Sequence, residues 1–345
     1  MKRLSAKRKL YLFRRARRIF RLKWKKARRD LSSARSGLAG FKVLQAPKHF
    51  ELSGNRNRHE LLTFLGNLRQ LLVVDKAKVL LDFSLTAKMW SGGTLLFLSE
   101  LHRCEKLLGG KMPVRCRPPR NVKVAQVLKQ IGAYDLMHYH KRINTSFSDV
   151  IHWRYASGHQ VEGQKYENIL GSYEGRVAET LLGSLFRGIT EAMTNCHHHA
   201  YIDVRPDGLD YQDVRKNWWM FSQEKDDFLT VVFCDLGVGI PNTLPTKKPG
   251  IWERIKSAGK AGSDSSIIEK AVEDSVSRTG KRYRGKGLKQ LLEAVQETDE
   301  GILRIFSNRG CYTFHKGKVS LKDFTGSIMG TLIQWKVPII QRELF

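Results

Sequence analysis

The sequence has few cysteines and no long apolar segment. The five cysteines are scattered and none is paired as Cys-x-x-Cys, so neither a disulfide framework nor a zinc knuckle is expected. No apolar run approaches the roughly 18–20 residues needed to span a bilayer. The N-terminus has no apolar signal core, because Arg14 and Arg15 interrupt the short apolar stretch at residues 11–13. These absences predict a cytoplasmic protein without transmembrane insertion.

Acidic residues are scarce: 33 Asp and Glu stand against 61 Lys and Arg, which gives a formal net charge of +28. The excess is uneven, because residues 1–35 hold sixteen Lys or Arg and one acidic residue, Asp30. Large apolar residues recur at roughly helical spacing within residues 1–30. These apolar residues are Leu10, Phe13, Phe20 and Trp24.

A basic helix with an apolar stripe is expected over residues 1–30, and three roles for it are open. Such a helix suits the phosphates of a nucleic acid. It also suits an anionic membrane surface or a partner protein. In the third role, it is a solvated tail whose aromatic residues dock on the protein itself. The charge asymmetry favours nucleic acid.

The length and composition suit two domains of the α/β class. A chain of 345 residues exceeds the about 100–200 residues of a single domain, and 41% apolar residues are ample for two cores. Serines and glycines in residues 36–57 indicate a linker after the basic segment at 1–35. We predict a small α/β domain over residues 58–145, a connecting segment over 146–180 and a second domain over 181–345.

Strands and helices alternate within residues 58–145. Residues 78–83 (KVLLDF) and 113–116 are expected strands. Residues 92–108 and 122–131 are expected amphipathic helices. Strands that alternate with helices indicate a small α/β layer fold.

This series, with DFSLTAKMWSGG after the first strand, resembles the STAS domain of anti-sigma-factor antagonists. In that family a phosphorylatable serine caps the next helix, and Ser91 falls at the matching position. A helix N-terminus favours added negative charge. Ser91 is therefore either a phosphoacceptor or a residue that only caps the helix with its hydroxyl. Trp90 stands where the family usually has an acidic residue, which favours the capping role.

Three polar motifs follow in order in the second half of the chain. The first, EAMTNCHHHA, places Glu191, Asn195 and His199 four residues apart, on one face of an expected helix. A buried helix face is normally apolar, so polar residues at this spacing indicate a site. The adjacent His197 and His198 do not make it a histidine metal site, because consecutive helical residues diverge by about 100°.

The second motif, DLGVGIP, follows an expected strand at residues 229–234 and contains Asp235, Gly237 and Gly239. Glycines let the backbone approach a flat ligand closely, and Asp235 can accept a hydrogen bond from an exocyclic amine. The third motif, GKGL, opens an expected helix at residues 288–295. Backbone amides at a glycine-rich helix start bind phosphate.

Together, and in this order, the motifs resemble those of the GHKL ATPases, which include gyrase, the heat-shock chaperone, mismatch-repair ATPases and histidine kinases. An expected strand at 301–307, and Gly330-Thr331 before an expected strand at 332–337, match the closing elements of that superfamily. The STAS-like neighbour points to the branch of anti-sigma-factor serine kinases. The resemblance implies a C-terminal α/β two-layer sandwich over residues 181–345.

The resemblance also implies ATP and Mg²⁺ as cofactors. Asn195 would coordinate Mg²⁺ through its side-chain oxygen, and Glu191 would be the catalytic base. Asp235 would recognise the adenine amine, with Thr331 assisting through water, and His199 would pack at the pocket. The other binding residues would shape the pocket wall and the phosphate loop: Gly237, Gly239, Gly285, Lys286, Gly287 and Leu288.

The segment between Pro241 and Gly285 is the expected lid over the phosphates. Cations cluster at its end, where they could neutralise charge on a transferring phosphoryl group or form a solvated basic loop. These cations are Arg278, Lys281, Arg282, Arg284 and Lys286.

Two functions fit this predicted site. In the first, the protein hydrolyses ATP or transfers its γ-phosphate to a protein serine as part of a regulatory switch, which the presence of Glu191 favours. In the second, it is an ATP-gated interaction protein without significant turnover, which binds nucleic acid through residues 1–30. The sequence leaves open which regulatory protein is the partner and whether the protein is a homodimer.

Overall fold

The computed structural model describes residues 40–147, 150, 153–161, 170–173, 175–209, 216–247, 249–257, 259, 262–277 and 287–339. The chain divides into two compact units, Met1–Val43 and Leu44–Phe345. Of the first unit, residues 40–43 are described, and they contain the start of strand β1. The predicted basic helix at residues 1–30 lies outside the described residues.

Over the described residues the structure is mixed α/β, with 42% helix and 25% strand, which confirms the predicted α/β class. The described strands are β1 (Phe41–Gln45), β2 (His49–Phe50), β3 (Lys78–Asp82), β4 (Lys88–Met89), β5 (Val114–Arg117), β6 (Arg154–Gly158), β7 (Trp218–Lys225), β8 (Phe228–Asp235), β9 (Ile302–Ser307), β10 (Gly310–His315), β11 (Lys318–Asp323) and β12 (Thr331–Pro338). The described α-helices are α1 (Asn55–Arg69), α2 (Ser91–Leu107), α3 (Val122–Gln130), α4 (Ala133–Leu136), α5 (Glu179–Asn195), α6 (Ile240–Lys247), α7 (Pro249–Ser257), α8 (Asp264–Ser277) and α9 (Gly287–Gln296). No helix among these residues is both long and apolar enough to cross a membrane.

A seven-stranded sheet organises the second unit. Its strand order is β11–β10–β9–β12–β8–β7–β6, and neighbouring strands are antiparallel. Consecutive side chains of a strand point to opposite faces of the sheet. Along β8, Val231 and Phe233 belong to one core, whereas Val232 and Cys234 belong to another. Both faces of the sheet are therefore covered.

Helices α5, α8 and α9 cover one face of this sheet, which we call the helix face. Leu181, Leu185 and Ile189 recur every four residues along α5 and are buried, so this side of the helix packs on the sheet. The indole of Trp335 in β12 donates to the carbonyl oxygen of Leu291 in α9 at 2.9 Å. Apolar packing and this indole bond hold α9 on the sheet.

Residues 44–139, which we call the α1–α2 layer, pack on the opposite face. Within the layer, β3 and β5 form a parallel pair, and the Gln45 amide donates to the Asp82 carbonyl oxygen at 2.6 Å. Helix α2 packs on β7, β8 and β12. Phe97 and Leu98 of α2 share one buried core with Phe221 of β7. The apolar core therefore continues from the α1–α2 layer into the sheet.

Five charged residues form a buried ion network on the opposite face. Glu100 of α2 accepts hydrogen bonds from Arg69 at 2.8 Å and from Arg205 at 2.5 Å. Asp207 accepts from Arg103 at 2.5 Å and from Arg205 at 3.0 Å. The Arg205 Nε donates to the Met329 carbonyl oxygen at 2.8 Å. The network thus joins α1 and α2 to the loops that precede β7 and β12.

The strands predicted at residues 78–83, 113–116, 229–234, 301–307 and 332–337 are confirmed as β3, β5, β8, β9 and β12. The predicted helices are confirmed as α2, α3, α5 and α9. The expected linker at 36–57 contains β1, β2 and the start of α1, and the expected connecting segment at 146–180 contains β6. The sequence did not predict β4, β7, β10 and β11, nor the helices α1, α4 and α6 to α8.

Candidate functional site

Helix α5 presents Glu191 and Asn195 beside its buried stripe. Both side chains are half-buried, and the Asn195 Nδ2 donates to the Glu191 Oε1 at 2.8 Å. The expected four-residue spacing on one helical face is therefore present for this pair. The amide nitrogen of Asn195 donates this bond, so the bond does not involve the side-chain oxygen, which is the atom that would coordinate a hard cation.

The α-helix ends at Asn195 and continues directly as a π-helical turn. Residues Cys196–Ala200 form a π-helical turn, in which each turn is wider than in an α-helix. The sequence placed His199 on the α-helical face of Glu191 and Asn195, whereas it lies in this π-helical turn beyond the end of α5. His199 is half-buried in this turn.

Asp235 lies at the end of β8 and is only 6% exposed. Its Oδ1 accepts from the backbone N–H of Gly237 at 3.0 Å, and the backbone N–H of Thr331 also bonds the carboxylate. Burial nevertheless raises the pKa of Asp235 to about 6, because a low-dielectric environment disfavours the charged form. The carboxylate is thus a buried acceptor held by backbone amides.

The glycines of the loop 235–239 are required by packing within the protein. A Cβ on Gly237 would lie 2.2 Å from the Ala200 carbonyl oxygen. Gly239 has a φ of +84° and faces the Asn308 side chain, which a Cβ would approach to 2.7 Å. The sequence predicts that these glycines admit a flat ligand, whereas neighbouring protein atoms already occupy the space that their missing side chains leave.

Thr331 begins β12 directly opposite Asp235 in the β8–β12 register. It is 6% exposed, and its hydroxyl lies 3.2 Å from that of Ser307. The Ser307 hydroxyl also accepts from the Ile240 N–H at 2.8 Å. Two residues that are about 100 positions apart in sequence therefore meet at one end of the sheet.

Three residues at this end of the sheet were missed by the sequence analysis. The Tyr201 hydroxyl accepts from the Leu236 N–H at 3.1 Å and donates to the Asn217 carbonyl oxygen at 2.5 Å. The Asn308 amide donates to the Val238 carbonyl oxygen at 2.9 Å. Ser307 is the third, and it is the last residue of a strand that the sequence did predict. The residue types alone do not single out these three, because their partners are distant in sequence.

The phosphate end of the predicted site is only partly described. Gly287 is the first residue of α9, and Leu288 is half-buried against the helix-face core. Gly285, Lys286 and the lid cations Arg278, Lys281, Arg282 and Arg284 lie outside the described residues. The part of the lid that is described contains α6, α7 and α8, with a small core around Leu244 and Ile255.

Ser91 lies at the junction of the α1–α2 layer with the sheet. It is the first residue of α2, whose N-cap is Trp90, and no side chain caps this helix. Its hydroxyl accepts from the Gln334 Nε2 of β12 at 3.3 Å and is 7% exposed. Ser91 is therefore covered by the sheet.

Within the described ranges, no group of three or more His, Cys, Asp or Glu side chains could hold a metal ion. Comparison with protein-family models and with curated proteins finds no match to this chain.

Proposed function

We propose that this chain binds Mg·ATP through α5, the loop 235–239 and the start of α9, in the manner of the GHKL ATPases. The observation that carries the proposal is the buried carboxylate of Asp235. A buried carboxylate held only by amides has an energetic cost, and an amine donor such as that of adenine would offset it. Thr331, beside it in the register, is the second residue that the resemblance assigns to adenine.

The hydrogen-bonded pair Glu191 and Asn195 on α5 supports the proposed phosphate end of the site. The Asn195 oxygen is a hard ligand of the kind that Mg²⁺ prefers, and Mg²⁺ would neutralise charge on the phosphates. The Glu191 carboxylate, held by Asn195, would accept a proton from the attacking water or hydroxyl. The first residues of α9 would supply backbone amides to phosphate.

The topology gives independent support to a GHKL-like arrangement. Strands β8 and β12 are neighbours, so the second motif and the closing Gly330-Thr331 meet. Helices α5 and α9 pack together on the helix face, so the first motif and the start of α9 lie on the same side of the sheet. The α1–α2 layer, with its parallel β3–β5 pair, would be the STAS-like part.

For the reaction, we propose hydrolysis of ATP or transfer of its γ-phosphate to a serine of another protein. Burial of Ser91 under Gln334 favours an acceptor other than Ser91 in this conformation. The alternative is an ATP-gated interaction protein without significant turnover. The sixteen cations within residues 1–35 favour nucleic acid as its partner, and a salt-dependent shift of DNA or RNA that requires residues 1–30 would support it.

Equilibrium ATP binding and incubation with γ-labelled ATP test the proposal. We expect wild type and the exposed-site controls Asp227→Asn and Glu179→Gln to bind ATP, and Asp235→Asn to lose at least about tenfold in affinity. Glu191→Gln should keep ATP binding and lose release of labelled phosphate. ATP binding without any labelled product would favour the ATP-gated interaction protein. Absence of ATP binding by wild type would refute the proposal.

A further inference from the structure

Arg58 is a fully buried arginine that reaches from the α1–α2 layer to the end of the sheet. It is 1% exposed, and its guanidinium lies 4.1 Å from the centre of the Phe324 ring. Its Nη2 donates to the carbonyl oxygens of Asn308 at 3.0 Å and Gly326 at 3.2 Å. Burial lowers the pKa of Arg58 to about 10, so the guanidinium stays charged at neutral pH.

Asn308 continues this chain of contacts into the loop 235–239. Its side-chain amide donates to the Val238 carbonyl oxygen at 2.9 Å, and its backbone N–H donates to the Gly330 carbonyl oxygen at 3.1 Å. Asn308 has a φ of +49°, a conformation that Asn tolerates better than most residues. Asn308 therefore bonds both the loop that follows Asp235 and the residue that precedes Thr331.

The contacts run without interruption from α1 to the predicted adenine end of the site. Arg58 fixes the Asn308 carbonyl, and Asn308 fixes the backbone between Gly237 and Gly239. The buried network offers a second connection, because Arg205 joins Glu100 to the Met329 carbonyl oxygen beside Gly330. Rigid support of this kind reduces the ordering cost when a ligand binds.

We propose that Arg58 and Asn308 are positioning residues, through which the α1–α2 layer holds the loop 235–239 and raises the affinity for the adenine end of ATP. The inference rests on the proposed function for its ligand. The part of the proposal that concerns support of the loop 235–239 applies to the nucleotide-free protein as well.

The variants for the test are Arg58→Met, the conservative Arg58→Lys and Asn308→Gly. The glycine accepts the positive φ of Asn308 without strain, keeps the backbone carbonyl that Arg58 bonds and removes the side chain with its bond to Val238. The matched control is Arg56→Met, two residues away on α1, because the Arg56 side chain is 90% exposed and pairs with Glu60. If Arg58→Met does not fold, the other two variants carry the test.

The first measurement is hydrogen exchange of the nucleotide-free protein. The amides of Val238 and Ile240 donate to Ala200 and to Ser307, so their protection reports on the loop. We expect exchange at these amides to rise in Arg58→Met and Asn308→Gly, and less in Arg58→Lys, while the Ile189 amide of α5 and the Arg56→Met control do not change. Unchanged exchange, or an equal rise at Ile189, would overturn the proposal.

The second measurement compares ATP and ADP affinities in the same variants. We expect a loss of about threefold to tenfold, the scale of one hydrogen bond, by the same factor for both nucleotides, because the phosphate contacts are unchanged. Locally raised exchange with unaltered affinity would overturn the role in binding. If wild type binds no ATP, the proposed function fails, and hydrogen exchange alone still decides whether Arg58 and Asn308 hold the loop.

Discussion

The two faces of the seven-stranded sheet are covered in different ways. On the helix face, α5 and α9 pack through apolar side chains such as Leu185 and Leu291, and the ion pair that joins these helices, Arg187–Glu293, is partly exposed. On the opposite face, the α1–α2 layer adds a charged network around Glu100 and the buried guanidinium of Arg58 to its apolar core. Apolar packing tolerates substitution of similar volume, whereas buried charges require particular partners. The opposite face is therefore the more specific contact of the two.

Breaking the charged network should have the largest effect. Glu100→Gln would leave Arg69 and Arg205 buried without their shared carboxylate, which typically costs about 3–5 kcal/mol. Urea unfolding at pH 7 measures the change in the free energy of unfolding. Glu105→Gln on the same helix is the control and should cost less than about 0.5 kcal/mol. A cost for Glu100→Gln as small as that of the control would contradict the specific role assigned to this face.

Because of the same carboxylate, we expect the free energy of unfolding to depend on pH. Burial by itself would raise the pKa of Glu100, but the charges of Arg205 and Arg69 outweigh it and lower the pKa to about 2. A depressed pKa contributes stability that is present above the unfolded-state value of about 4.3 and is lost as the pH falls toward 2. Wild type should lose this stability between those values, and Glu100→Gln should not.

On the helix face, a cavity should lower the free energy of unfolding by less than Glu100→Gln does, and this loss should not depend on pH. Leu185 is completely buried in α5, and Leu185→Ala should lower the free energy of unfolding by about 2–4 kcal/mol. The next residue supplies the control, because Phe186 is 45% exposed and Phe186→Ala should change stability little. A cost that varied between pH 7 and pH 4 would show that charge also stabilises this face.

The smallest effect is expected at Asp235, and its sign is opposite. Its folded-state pKa of about 6 lies above the unfolded value of about 3.9, so the ionised form lowers stability at neutral pH, and the loss is relieved as the pH falls from 6 to 4. Asp235→Asn should therefore raise the free energy of unfolding by about 1–2 kcal/mol at pH 7.5 and by much less at pH 4. Urea unfolding of this variant beside Asp227→Asn checks it, and a less stable Asp235→Asn at pH 7.5 would contradict the burial argument.

Periodicity predicted the elements that have an apolar pattern of their own. Strand β8 is a run of mostly buried residues between two covered faces of the sheet, and the buried residues of helix α5 recur at helical spacing. Strand β11 was missed because all six of its residues are exposed, so only its pairing with β10 makes it a strand. Helices α6 to α8 share a small core of Leu244, Ile255, Ile267 and Ala271, whereas Ile268 and Val272 of α8 join the helix-face core.

The sequence by itself determined the α/β class, the positions of the elements with a clear apolar pattern, such as β8 and α5, and the order of the motifs around Glu191, Asn195 and Asp235. Tertiary structure decided how these residues are supported. The π-helical turn after Asn195, the packing of Ala200 against Gly237 and the bonds from Arg58 to Asn308 all depend on atoms that are distant in sequence. A local pattern records the periodicity of one element, but it carries no information on which distant backbone will satisfy a buried charge or fill the space beside a glycine.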